Sequence, residues 1–321
     1  MAVSILVTGA SGFLGRALVA ELSTVTNMNL VAATRADKHL FPDVTQRPSL
    51  DLCPDSDHCE LLRNIDVVIH TAARVHVMND TAADPLALFR EVNTAGTLNL
   101  ARQAAAAGVR RFIFISSIKV NGESTARGQC FHPDDLPNPL DHYGASKHEA
   151  EQGLLALARD SAMDVVIIRP VLVYGPGVKA NFLQLMRVLN KGIPLPLGAI
   201  DNRRSLVSLD NLVDFIKVCI EHPAAANQVF LVSDGDDLST TGLARKLVTH
   251  LHAPNRLIPV PQPLLYLGAA LLGRTAAAQR VLGSLCVDIG KNRDRLQWTP
   301  PVSVDDGLRK TVEHFLATEQ K

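Results

Sequence analysis

Along the first 170 residues the hydrophobic positions gather into short continuous runs separated by longer stretches of helical spacing. Five runs rich in β-branched residues stand out: Val3–Val7, Leu30–Thr34, Asp66–His70, Arg111–Ser116 and Asp164–Arg169. Continuous rather than alternating apolarity means that both faces of such a strand are covered, which is the condition of a parallel sheet. Between the runs the pattern predicts helices over Phe13–Leu22, Pro85–Ala107 and Asp141–Arg159; the second opens on a proline in its first turn and closes at Gly108. A further strand region precedes Asp51. Strands and helices in alternation, joined by right-handed crossovers, give an α/β fold with a doubly wound parallel sheet.

After Arg169 the punctuation changes. Pro170, Gly175-Pro-Gly177, Pro194, Pro196 and Gly198 break the chain before a short strand and helix at Ser205–Glu221, and a strand at Gln228–Val232 is expected to rejoin the sheet. From Asp236 onward, short helical segments are interrupted by Pro254, Pro259, Pro261 and Pro263. The expected division is therefore a first domain over 1–169, with 205–232 returning to it, and a smaller interleaved C-terminal lobe over 170–204 and 233–321.

Composition narrows the functional classes. Lys plus Arg (32) equals Asp plus Glu (32), and no long run of like charge occurs, which argues against nucleic acid or anionic lipid as a partner. The first residues lack the basic and apolar segments of a secretion signal, and the longest apolar run, Pro263–Gly273, is too short to insert across a bilayer. The five cysteines (Cys53, Cys59, Cys130, Cys219, Cys286) are odd in number and never spaced Cys-x-x-Cys, so neither a disulfide framework nor a metal site is expected. A cytoplasmic protein fits these features.

The chemistry lies at the ends of the strands. Gly9-Ala-Ser11-Gly12-Phe13-Leu14-Gly15 follows the first strand and opens the first helix. One glycine allows the tight turn, one lets backbone approach a pyrophosphate and one lets helix pack on strand, with phosphates at the helix N-terminus. This is a Rossmann arrangement for NAD(P)(H), with Gly-x-x-Gly-x-x-Gly in place of Gly-x-Gly-x-x-Gly. At the end of the second strand Arg35 stands where a carboxylate would hold an NAD ribose; it can pair with a 2′-phosphate and so favours NADPH over NADH, although Asp37 is close and a merely solvated arginine is the competing reading. Asp51-Leu52 is a candidate for the adenine edge. His70-Thr71-Ala72-Ala73 ends the fourth strand in small residues that leave room for a flat cofactor, and Asn93 sits mid-helix, where it is suited to tying neighbouring backbone together.

Tyr143-Gly-Ala-Ser-Lys147 is the sharpest signal. Residues four apart share a helix face, so the Lys147 ammonium is expected to lower the pKa of the Tyr143 phenol towards working pH. Ser117, 26 residues earlier at the end of the fifth strand, can bond a substrate oxygen that gains or loses a proton, and Ser116 is the less favoured of the two. A serine that merely ends a strand is the bland alternative.

Taken together, the glycine loop, the His70–Ala73 strand end, Asn93, Ser117 and Tyr143-x-x-x-Lys147 resemble an extended short-chain dehydrogenase/reductase, and over essentially the whole chain this one is similar to the UDP-glucose 4-epimerase-like, nucleotide-sugar branch. The resemblance implies further roles. Pro170 and Val173 lie on the segment that runs past the nicotinamide; Ser116, Asn181, Leu195, Arg204 and Asp288 sit where the family contacts a UDP-sugar, with Arg204 on the diphosphate and Asp288 on the uridine ribose. It also implies a homodimer through Ala101–Ala107 and the Tyr143 helix. Two departures matter. Ile118-Lys119 replaces the Asp-Glu pair of family dehydratases, so an upstream nucleotide-sugar dehydratase is expected to supply any keto sugar, and Arg35 replaces the acidic residue of epimerases that retain NAD. The run Ser116–Glu123 also resembles that of bacterial polysaccharide enzymes that reduce 4-keto-6-deoxy-hexosamine nucleotides, such as UDP-N-acetylquinovosamine dehydrogenases. The expectation is accordingly NAD(P)H-dependent reduction of a C4 ketone in O-antigen or capsule precursor synthesis, with C4 epimerisation as the alternative and a catalytically silent NADP-binding protein as the third reading.

Overall fold

The computed structural model describes residues 2–34, 40–48, 52–75 and 84–319. Its main sheet holds seven strands: β1 (Val3–Thr8), β2 (Met28–Thr34), β3 (Thr45–Pro48), β4 (Val67–His70), β5 (Arg111–Ile115), β6 (Asp164–Pro170) and, after the short β7 (Leu172–Tyr174) and β8 (Leu206–Ser208), β9 (Gln228–Val232). The order is β3-β2-β1-β4-β5-β6-β9 and every pairing is parallel. The direction of winding reverses between β1 and β4, which opens a crevice at their C-terminal ends.

Continuous apolar strands are buried twice over. On one face Ile5, Val7, Ile69 and Ile113 pack against α1 (Phe13–Leu22) and a helix over Leu209–Glu221; on the other, Leu6, Val68, Phe112 and Phe114 meet helices over Thr97–Ala106 and His142–Asp160. Each fully buried Leu, Ile or Phe contributes about 1.5–3 kcal/mol, so this double layer is the main stabilising feature. β9 lies in register with β6 from Val166 opposite Gln228 to Pro170 opposite Val232. A third core joins Tyr174, Phe182, Met186, Leu247, Leu308 and Phe315 beneath the two-stranded β7-β8 sheet. Among the described residues no helix is long and apolar enough to cross a membrane.

The expected single helix over Pro85–Ala107 is three pieces. After the short α2 (Cys59–Leu62), α3 (Pro85–Phe89) starts with the Asp84 carboxylate accepting from Ala87 N at 3.0 Å; Arg90–Gly96 then winds as a π-helix, and α4 (Thr97–Ala106) follows. The reason is contact rather than propensity. A Cβ on Gly96 would lie 2.3 Å from the Leu52 carbonyl oxygen, so this turn is pressed against the chain after β3. The wider turn also swings Asn93 and Thr94 onto the neighbouring helix, and such bulges concentrate at functional sites. The remaining helices are α5 (His142–Asp160), α6 (Ala180–Asn190), α7 (Leu209–Glu221), α8 (Thr240–His250), α9 (Gln262–Leu271), α10 (Thr275–Leu282), α11 (Gly290–Leu296) and α12 (Val304–Glu319).

Candidate active site

The glycine loop lines the crevice at the winding reversal. Gly9 has φ +69°, and a Cβ there would lie 2.7 Å from Ala72 N and 2.8 Å from Thr71 Oγ1; one on Gly15 would lie 2.2 Å from the Gly9 carbonyl oxygen. Gly12 N donates to Gly9 O at 2.9 Å and caps α1 in extended conformation, with no side chain on the free N–H groups. Ser11 and Gly12 are exposed beside it and Phe13 and Leu14 half-buried. A backbone cradle that excludes side chains, ending at an uncapped helix N-terminus, fits the diphosphate of a dinucleotide. The opposite wall is the β4 end, where Thr71 Oγ1 donates to Thr8 O at 2.7 Å and Ala72 and Ala73 are half-buried. His70 lies wholly buried below it, between Thr8 Oγ1 (2.7 Å) and Thr97 Oγ1 (3.0 Å), and burial pulls its pKa down to about 3, so it is a neutral structural group. Asn93 Oδ1 accepts from Arg74 N at 2.8 Å, while its Nδ2 donates to Arg74 O (3.0 Å) and Ser146 Oγ (3.1 Å). All of its hydrogen-bonding groups thus go to holding the loop after β4 against α5, which makes it a positioning residue. Leu52 is half-buried beside Gly96; Arg35 and Asp51 lie outside the described residues.

Tyr143 and Lys147 stand on α5 against the end of β5, where Lys147 bonds the carbonyl of Ile115, two residues before Ser117. Ser117 Oγ accepts from Lys119 N at 3.2 Å, which leaves its own proton available for a ligand oxygen. Ser116, buried just before it, has a hydroxyl with no hydrogen-bond partner. Lys147 is 1% exposed; its Nζ donates to Ile115 O at 2.8 Å and stands 4.4 Å from the Phe114 ring centre and 5.9 Å from that of Tyr143. The expected lowering of the phenol is corrected here. Burial, reinforced by the Asp141 carboxylate, pushes Tyr143 above its usual value, while burial pulls Lys147 down to about 7 against the opposing Glu151.

Several supporting residues escaped the sequence reading. Asp141 caps α5 by accepting from Gly144 N at 2.7 Å and is itself held by Lys119, which also pairs with Glu123 at 3.3 Å. Arg169 makes a buried two-pronged pair with Glu151 (2.9 and 2.5 Å) and donates to Asn121 Oδ1 at 2.9 Å, locking α5 to β6 and to the loop before it. Glu151 does lie four residues past Lys147, but nothing along the chain links it to Arg169. The free thiols of Cys130 and Cys286 and the Asp237 carboxylate lie within 4.8 Å of one another, and burial together with Asp237 pushes Cys286 up to about 12.

The residues assigned to the sugar nucleotide divide into two groups. Segment 284–288 runs between 203–205 and 125–131, with Ser205 N donating to Leu285 O and Phe131 N to Cys286 O, both at 2.9 Å, so Arg204 and Asp288 stand on adjoining segments. The half-buried Arg204 guanidinium donates to Gly283 O at 3.0 Å and pairs with no carboxylate among the described residues; Asp288 Oδ1 accepts from Gly290 N at 2.8 Å. Asn181 is exposed in the first turn of α6, directly after Ala180 at φ +52°, and Leu195 exchanges backbone bonds with Arg256 and Ile258. Pro170 is buried at the end of β6 and Val173 half-buried in β7.

A family model described as the NAD dependent epimerase/dehydratase family matches residues 5–233. The chain is 50% identical over 323 residues to a UDP-glucose 4-epimerase of Vibrio cholerae, covering 99% of this chain and 97% of that protein. It is 28% identical over 331 residues to the N-acetyl-alpha-D-glucosaminyl-diphospho-ditrans,octacis-undecaprenol 4-epimerase of Escherichia coli O157:H7, again covering 99% and 97%. A solved UDP-glucose 4-epimerase with UDP-glucose from Thermotoga maritima shares the fold with a TM-score of 0.79 at 23% identity, covering 98% of this chain and 99% of that one. With the glycine cradle, the seven-stranded parallel sheet and the Tyr143–Lys147 helix in place, the chain belongs to the NAD-dependent epimerase/dehydratase family of extended short-chain dehydrogenase/reductases.

Proposed function

We propose that the protein moves hydride and a proton at C4 of a UDP-sugar, and that its reaction is the C4 epimerisation of a UDP-hexose or UDP-N-acetylhexosamine. The observation that supports this reading is that Lys147, beside the Tyr143 ring, bonds the carbonyl of Ile115 at the end of β5, two residues before Ser117. A bound oxidised nicotinamide cofactor, held by the glycine cradle, would take the C4 hydride and return it. Tyr143 carries the proton of the C4 oxygen, Ser117 donates a hydrogen bond to that oxygen, and Lys147 provides the nearby positive charge. Arg204, which pairs with no carboxylate among the described residues, is available to the diphosphate. The E. coli relative's name also places its sugar on a diphosphate.

Sequence reasoning put reduction of a C4 ketone first, and the 50% identity to the Vibrio cholerae epimerase supports the alternative better. Reduction stands as the second reading because burial holds the Tyr143 phenol protonated, the state needed to quench a forming alkoxide. Dehydration is disfavoured under either reading, since Ile118 is buried and Lys119 is engaged by Asp141 and Glu123.

The test uses two assays. UDP-glucose and UDP-N-acetylglucosamine are incubated with enzyme and catalytic NAD, and the C4 epimers are quantified; separately, NADPH absorbance is followed with a UDP-4-keto-6-deoxy-N-acetylhexosamine. Interconversion in the first is expected. Stoichiometric NADPH loss in the second without interconversion in the first would replace epimerisation by reduction. NADPH preference through Arg35 is a separate proposal: Arg35→Ala should lower kcat/KM for NADPH about tenfold or more relative to NADH, and equal kcat/KM for the two cofactors in the wild type would overturn it.

A further inference from the structure

The hairpin of α9 and α10 contradicts the rule that an apolar helix is a buried one. None of the ten residues of α9 is buried, and Leu264, Leu267, Leu271 and Leu272 are 58%, 57%, 80% and 75% exposed. The spacing of Leu264, Leu267 and Leu271 places them on one outward stripe. On the inner side, the Tyr266 hydroxyl bonds Gln279 Oε1 at 3.0 Å and ties the two helices together. Val281 on α10 and the neighbouring Ile258 and Ile193 are also exposed, at 40%, 49% and 46%.

Charge identifies what covers this face. Between Asp237 and Asp288 there is no Asp or Glu, in a chain where acids equal bases. Arg256, Arg274 and Arg280 are exposed there, and none pairs with a carboxylate among the described residues. A leucine stripe with unpaired arginines at its margins matches the boundary between acyl chains and anionic headgroups. Ten residues of helix reach about 15 Å, half a bilayer core, so the hairpin lies in the interface rather than crossing it. A second copy of the chain fits less well, because a self-interface would bring together two hairpins that carry arginines and no acid of their own.

We infer that the α9–α10 hairpin is the surface by which this protein docks on an anionic lipid bilayer. The consequence reaches the site. Gly283, one residue past α10, accepts from both Asn202 Nδ2 (2.9 Å) and Arg204 (3.0 Å), so the docked hairpin holds Arg204 close to the headgroups.

Flotation of the full chain tests this independently of its reaction, with vesicles of phosphatidylglycerol mixed into phosphatidylcholine and, in parallel, phosphatidylcholine alone. At low salt, roughly tenfold more protein should float with the anionic vesicles. Leu267→Ser with Leu271→Ser, and separately Arg274→Gln with Arg280→Gln, should each lose most of that binding while keeping the wild-type melting temperature. The inference is overturned if the wild type floats with neither vesicle, if both double variants float as well as it does, or if the leucine variant changes only the oligomeric state in light scattering.

Discussion

A phenol drawn out of water beside a carboxylate keeps its proton, and that is the situation of the half-buried Tyr143 near Asp141. Replacing it with Phe removes the proton carrier and leaves the ring that meets Phe89 edge-on at 6.2 Å. Tyr143→Phe should lower kcat by about 10²–10⁴, with dinucleotide binding by fluorescence titration unchanged within twofold; wild-type turnover would remove the residue from the mechanism. Lys147 titrates at about 7 in the folded protein, below the ~10.4 of an unfolded chain. Between those pH values the unfolded state binds more protons, so this group makes stability rise with pH, by up to ~1.4 kcal/mol per pH unit. Urea unfolding of wild type and Lys147→Met, from about pH 7 to about pH 10, should show wild type gaining on the variant as pH rises; a pH-independent difference would contradict the buried ammonium. The pairing was legible because Tyr-x-x-x-Lys spacing sets a shared helix face. The direction of the phenol's shift was not, because desolvation depends on what the fold packs around it.

At the scale of elements, close approach matters more than propensity. A Cβ at Gly15 would meet backbone, 2.2 Å from Gly9 O, whereas one at Gly268 on α9 has nothing within 4 Å. Gly15→Ala should therefore cost about 1–3 kcal/mol and weaken dinucleotide binding, because α1 must move off the loop. Gly268→Ala should instead add about 0.5–1 kcal/mol through helix propensity. Thermal unfolding of both, with dinucleotide titration of the first, checks the pair; destabilisation by Ala at both positions would sink the argument. The strands and α1 were legible because apolar runs and the glycine loop are local signals. The break of the 85–107 helix was not, since its cause is the contact of Gly96 with Leu52, 44 positions earlier in the chain.

Across the whole molecule, Tyr174 ties together segments far apart in the chain. Its hydroxyl donates to Asp234 Oδ2 at 2.8 Å and reaches Val304 O at 3.3 Å, joining β7 to the residues after β9 and to α12. Tyr174→Phe should lose about 1–3 kcal/mol, because Asp234 stays buried with only Ser208 and Asn211 as donors; an unchanged urea midpoint would show that stability does not depend on this bond. Balanced charge in the sequence argued against anionic lipid, yet an average over 321 residues hides an acid-free stretch, and only the fold shows that its leucines face outward. The sequence by itself determined the doubly wound sheet, the glycine cradle and the Tyr143–Lys147 face, since each depends on residues a few positions apart, on continuous apolar runs and on the 3.6-residue helical period. Tertiary structure alone decided the proton state of Tyr143, the Arg169–Glu151 lock, the meeting of the Arg204 and Asp288 segments and the exposure of α9. Each of these depends on which distant residues exclude water from a group, and separation along the chain carries no record of that.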